Sequence, residues 1–177
     1  MRLSLAQIRD LAYRFVPGRA ADDRLYTYGA RSWWPAHEIG HFLVATPREC
    51  RRYMFDLDIT VPSATGPRYQ YAVAKEIAAI SVSQRLLRRS NHVRLADEEI
   101  EYTDQDTLDC SHESWCKRAV GRLLRVHRIR RLPITLDGME AVLERKAREV
   151  GTKFYASRRE ALGGSRVQTD SEASKWR

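Results

Sequence analysis

The stretch "WWPAHEIGHFLVATP", residues 33–47, decides how this chain is read. It is mostly apolar, opens on two tryptophans and stops at a proline, yet it carries His37, Glu38 and His41. Pro35 suits a first helical turn, Ser32 stands where a cap is needed, and Thr46-Pro47 ends the run. The stretch therefore reads as a helix from about Trp33 to Ala45. Residues four apart on a helix lie one turn apart on the same face. His37 and His41 can thus aim two imidazoles at one ion. Glu38 is rotated by about 100° from His37, so it borders that ion without binding it and is free to accept a proton from water. Ile39, Phe42 and Leu43 form an apolar stripe on the other side, and Gly40 allows close approach of a neighbouring element. The bland alternative is a helix with two histidines at the edge of the core.

A catalytic zinc needs a third protein ligand and a position open to water. The long helix expected from Tyr69 to Arg89 offers one. Val73, Glu76, Ile80, Ser83 and Leu87 recur there at spacings of 3, 4, 3 and 4, which marks a core-facing seam with a carboxylate in it. An ionised carboxylate in an apolar seam is costly unless it is paired or bound to a metal. Glu76 is accordingly the candidate third ligand; an ion pair with an arginine, or a half-buried seam, would also account for it. His112 lies near a helix start, His92 in an arginine-rich turn, and His127 in line with Cys116, Val120, Leu123 and Leu124 as a core-edge histidine. Asp56 and Asp58 are candidate partners for a ligating histidine. Tyr69, Tyr71, His112 and the Tyr26/Tyr28 pair are candidate donors to a developing oxyanion.

Around this pair the chain reads as mainly α, a compact helical domain of about five helices. "SLAQIRDLAYRFV" (4–16) has Leu5, Ile8, Leu11, Ala12 and Phe15 at helical spacing before Pro17-Gly18. "YMFDLDITV" after the first histidine helix suits one short strand or hairpin. Residues 90–111, with "ADEEIEYTDQDTLD", read as a solvated connection holding at most one short helix. A fourth helix is expected from about His112 to Arg130, and a fifth follows Pro133 with Asp137 and Glu140 placed for a capping box. Residues 1–162 form one metal-binding domain in this reading. The tail from 163 to 177 is poor in apolar residues and reads as disordered.

At 177 residues the chain is long enough to bury a real core, and 43% hydrophobic residues supply it. No apolar run is long enough to span a membrane, and charges interrupt the N-terminal apolar pattern, which argues against a signal peptide. Cys50, Cys110 and Cys116 are odd in number and lack C-x-x-C spacing, which suits reduced thiols in a cytoplasm. The net charge of +8 is concentrated in arginine clusters. Arg122, Arg125, Arg128, Arg130 and Arg131 cover much of one side of the fourth helix and are candidate anion contacts. A solvated helix face is the more ordinary explanation of them. They keep open a non-enzymatic reading, in which a basic helical protein binds nucleic acid or an acidic partner.

"AHEIGHFLVA" resembles the zinc helix of HExxH metallopeptidases, and a glutamate on a later helix is similar to the gluzincin arrangement. The pair "HEIGHFLVA" and "KEIAAISVSQRLL" most resembles the small ImmA/IrrE-type peptidases. The resemblance covers residues 33–47 and 74–87. It implies a zincin-like fold, Zn2+ held by His37, His41 and Glu76, Glu38 as general base, and a protein or peptide substrate. The metzincin extension is lacking, since Val44 and Pro47 stand where it needs glycine and histidine. A catalytically inactive zincin-like regulator would carry the same residues.

Overall fold

The computed structural model describes residues 1–16, 32–52, 66–129 and 131–151. Among these residues the protein is all-helical, with no strand. The expected strand, Arg130, and the tail from 163 lie outside the described residues. The helices are α1 (Leu5–Phe15), α2 (Trp34–Val44), α3 (Pro47–Arg52), α4 (Pro67–Arg89), α5 (Val93–Tyr102), α6 (Gln105–His112), α7 (Ser114–Val126) and α8 (Leu136–Val150).

The central element is α2. Every residue from Pro35 to Val44 is buried, so this helix is enclosed all round rather than packed on one side only. A helix in that position normally has no polar residue; this one has three. Its first turn also differs from expectation. Trp33 occupies the cap position in a helical conformation with no side-chain cap bond, and Pro35 stabilises the entry in place of a Ser32 cap.

The main packing of α2 is against α4, and α1 packs on α2 from another side. The α2–α4 contact is set by Gly40. A Cβ added at Gly40 would lie 2.4 Å from the carbonyl oxygen of Ala79, so backbone meets backbone at this crossing. Ala78, Ala79 and Val82 complete the small, fully buried surface of α4 that makes the approach feasible. On α4 the expected seam holds: Val73, Ile80, Ser83 and Leu87 are buried, with Glu76 between them. α5, α6 and α7 pack on α4, while α8 packs on α1 and α3.

Two helices stand where the sequence suggested a connection. α5 is amphipathic and buries Ala96 and Glu99, and α6 is capped by Asp104, whose side chain accepts from Thr107 N. The expected fourth helix forms as α7, set off from α6 by the extended backbone of Glu113, but it ends at Val126, short of Arg130, and Arg128 beyond it has φ of 56°. In α8 the cap is Thr135, which accepts from Gly138 N at 3.3 Å, so the Asp137–Glu140 box does not form. Glu140 instead pairs with Arg14 of α1. α1 has the full capping box, Ser4 with Gln7.

Polar clamps secure the far end of α2. Lys146 of α8 is 5% exposed; its Nζ donates to Ala45 O, the C-cap of α2, at 2.6 Å and to His127 Nδ1 at 3.2 Å. His127 is thus an acceptor at that nitrogen and must be neutral. Burial, and then the adjacent Lys146 charge, push its pKa down to about 4. Lys75, 2% exposed, pairs with Glu49 at 2.6 Å, and Glu49 also caps Thr46 N at 2.7 Å. The three cysteines are free thiols.

Two outcomes follow from this packing. Gly40→Ala forces a methyl against the Ala79 backbone and costs about 1–3 kcal/mol, to be read as a lower urea midpoint at unchanged m-value. His127 binds more protons unfolded than folded between its ordinary value of 6.5 and about 4. The stability it contributes is therefore complete above that window and is lost as pH falls through it. The difference in urea midpoint between wild type and His127→Gln should shrink from about pH 7 to about pH 4; a constant difference contradicts the assignment.

Candidate metal centre

His37 and His41, one turn apart on α2, turn their rings to the same side, with centroids 4.6 Å apart and planes nearly perpendicular. Their Nε2 atoms are 3.0 Å apart. The carboxylate of Glu76 reaches both from α4: Oε1 lies 3.3 Å from His37 Nε2 and Oε2 lies 3.2 Å from His41 Nε2. One ligand atom from each residue falls within 4.8 Å of the others, and no other described group of three His, Cys, Asp or Glu residues does so. Glu76 is three residues before Ala79, and His41 is next to Gly40, so the backbone contact of the two helices is what brings the carboxylate within reach.

The donor set suits zinc. Two imidazole nitrogens and a carboxylate oxygen are ligands that zinc takes, and three of them leave a fourth position for water. Zinc bonds of about 2.0–2.1 Å place tetrahedral ligands about 3.3 Å from one another. The separations between the imidazoles and the carboxylate are of that size. The far nitrogen of His37 is also fixed: Nδ1 is 2.9 Å from Oε1 of Glu99, on α5. Trp34 stacks on the His37 ring at 5.2 Å and Trp33 meets its edge at 5.8 Å, which holds the imidazole in one orientation.

Without a cation the cluster is held by a proton. Burial opposes charge on His37, but hydrogen bonds to Glu76 and Glu99 outweigh it and push its pKa up to about 10. Burial likewise opposes charge on Glu76, but the hydrogen bonds from His37 and His41 hold its carboxyl well below the usual range. A metal has to displace that proton.

Glu38 is 7% exposed and forms no hydrogen bond or ion pair with a described residue. It stands beside the triad on the same helix without belonging to it. The other candidates lie elsewhere. Tyr69 lies beside Cys110 of α6, and Tyr71 lies beside Glu49 with Lys75 over its ring. His112 is exposed at the end of α6. His92 donates through Nε2 to Leu3 O at 3.0 Å and pins the N-terminus. Asp56, Asp58, Tyr26 and Tyr28 fall outside the described residues. Arg122, Arg125, Arg128 and Arg131 are exposed and pair with no described acid.

Glu99 is the residue that sequence reasoning missed. It sits among Asp97, Glu98 and Glu101, and a run of acids reads as solvated. A signal was present: Leu95, Ala96 and Ile100 mark an apolar helix face, and Glu99 lies on it.

The wild-type chain should take up one Zn2+, measured by metal analysis after dialysis, with a rise in melting temperature. His41→Ala should abolish both effects; stoichiometric zinc in that variant contradicts the ligand set. In comparisons with known proteins, no family model, no curated protein and no solved structure matches this chain.

Proposed function

We propose that this protein is a zinc-dependent metallohydrolase that acts on peptide bonds, with His37, His41 and Glu76 holding the ion and Glu38 as general base. The observation that carries this reading is the convergence of both Nε2 atoms of the H-E-x-x-H pair on a carboxylate from a different helix. The spacing places two donors on one face; the third comes from a residue 35 positions further along, and only the fold supplies it.

When bound, zinc supplies Lewis acidity, which activates water near neutral pH and polarises a scissile carbonyl. The residues of the chain do the rest. The carboxylate of Glu38 has no described partner to compete for it, so it can hold a water by accepting its proton and then deliver that proton to the leaving nitrogen. Glu76 and the imidazoles carry no such role, because their donor atoms already face one another. The burial of His37 and His41 strengthens their electrostatic contacts with Glu76, whose side chain is 23% exposed.

A second reading rests on Arg122, Arg125, Arg128 and Arg131. Four exposed cations without described acid partners suit a basic protein that binds nucleic acid or an acidic partner through its phosphates or carboxylates. A third keeps the metal and discards the chemistry, as a zincin-like regulator. No described helix is long and apolar enough to cross a membrane.

Glu38→Gln separates these readings. It should retain zinc and lose about 10²–10⁴-fold in hydrolysis of a mixed quenched-fluorescent peptide library. Undiminished cleavage by that variant removes Glu38 from the mechanism; absent cleavage in zinc-loaded wild type favours the regulator.

A further inference from the structure

The side chain of Glu99 is among the largest that are fully buried, at 1% exposure. A carboxylate there has to be satisfied at both oxygens. Oε1 faces His37 Nδ1 at 2.9 Å, and Oε2 accepts from Gln84 Nε2 at 2.8 Å. Gln84 is itself fixed. Its Nε2 also donates to Ala96 O at 2.6 Å, and its Oε1 accepts from Arg88 Nε at 3.1 Å. Arg88 is tied in turn to Asp97 at 2.6 Å.

The directions of the bonds around Gln84 are determined. A backbone carbonyl only accepts and a guanidinium only donates. Between Ala96 O and Arg88 Nε the amide of Gln84 has one orientation, with its NH2 toward Glu99. Ionised Glu99 then accepts at both oxygens, so the hydrogen between it and His37 belongs to Nδ1. In the neutral imidazole the lone pair is left on Nε2, the nitrogen that faces His41 and Glu76.

We infer that Glu99, oriented by Gln84, is a positioning residue that fixes the Nδ1–H tautomer of His37 and so presents Nε2 as a ligand. This rests on the metal-centre reading, because a tautomer matters only to a histidine that binds something. The arrangement uses five residues of α4 and α5, none of them among the three that would hold the ion. It also explains why a strongly acidic helix turns one of its carboxylates into the core.

The test is Glu99→Gln, which preserves shape. With Gln84 held as it is, a glutamine at 99 must turn its carbonyl to Gln84 and its NH2 to His37 Nδ1. That favours the hydrogen on Nε2, where it competes with zinc. Zinc affinity, from competition with a chromophoric chelator, should fall about 10–100-fold. Glu98→Gln, on the same helix but bonded to Arg94 and to no other described residue, should leave it unchanged. In long-range 1H–15N spectra of the zinc-loaded protein, His37 should show a proton on Nδ1 in wild type that exchanges faster in Glu99→Gln. A purely structural role for Glu99 would not move that signal. Gln84→Met carries the test should Glu99→Gln fail to fold, with a several-fold loss expected. Unchanged zinc affinity and an unchanged His37 signal in the variant tested overturn the inference while the metal centre stands. A wild type that binds no zinc overturns both.

Discussion

The structure depends on the contact of Gly40 with the backbone of Ala79. α2 carries three ionisable side chains at positions enclosed by other helices. Burial of that kind is costly for any polar group that finds no partner. Backbone contact between α2 and α4 brings the two axes close enough for Glu76 to reach both imidazoles. With any larger residue at 40, the same helices would still bury their apolar faces, but the carboxylate would stand further from the nitrogens. The packing that builds the core and the geometry that builds the site are therefore one constraint.

Along α2 the polar interior is organised in two clusters. Toward its middle, His37 and His41 meet Glu76, with Glu99 behind His37. At its C-terminal end, Lys146 holds the Ala45 carbonyl, and Glu49 holds Lys75 and the start of α3. The second cluster anchors the end of the helix, and the first fills its face. The two buried lysines have acceptors at short distance, as charged groups in low dielectric require. The same logic singles out Glu38, a buried carboxylate without such an acceptor or donor among the described residues. A buried carboxylate with no described partner is a candidate for chemistry.

The strongly periodic segments were legible. The seam of α4, the apolar face of α1 and the run of α2 followed from spacing alone, and they formed as helices with those faces inward. Legibility failed where charge was taken as a sign of solvent. The acidic run in α5 hides a buried Glu99, and Lys75 and Lys146 are buried on helices whose arginines are exposed. For Glu99, Lys75 and Lys146 alike, the apolar neighbours at helical spacing mark the face correctly. The charged residue is retained there because a partner on another helix compensates it, and a linear sequence does not display that partner. Capping failed for a related reason: Glu140 satisfies Arg14 across the fold rather than its own helix start.

By itself the sequence determined that this chain is helical, that two imidazoles share one helical face, and that a carboxylate interrupts an apolar seam; these depend on periodicity, which is local. Only the tertiary structure decided that the carboxylate and the imidazoles meet, which of the remaining acids stands behind His37, and that the tyrosines of α4 lie beside Cys110 and Glu49 instead. Those facts depend on how closely and at what register two helices cross, and that is set by atoms distant in the chain pressing against each other.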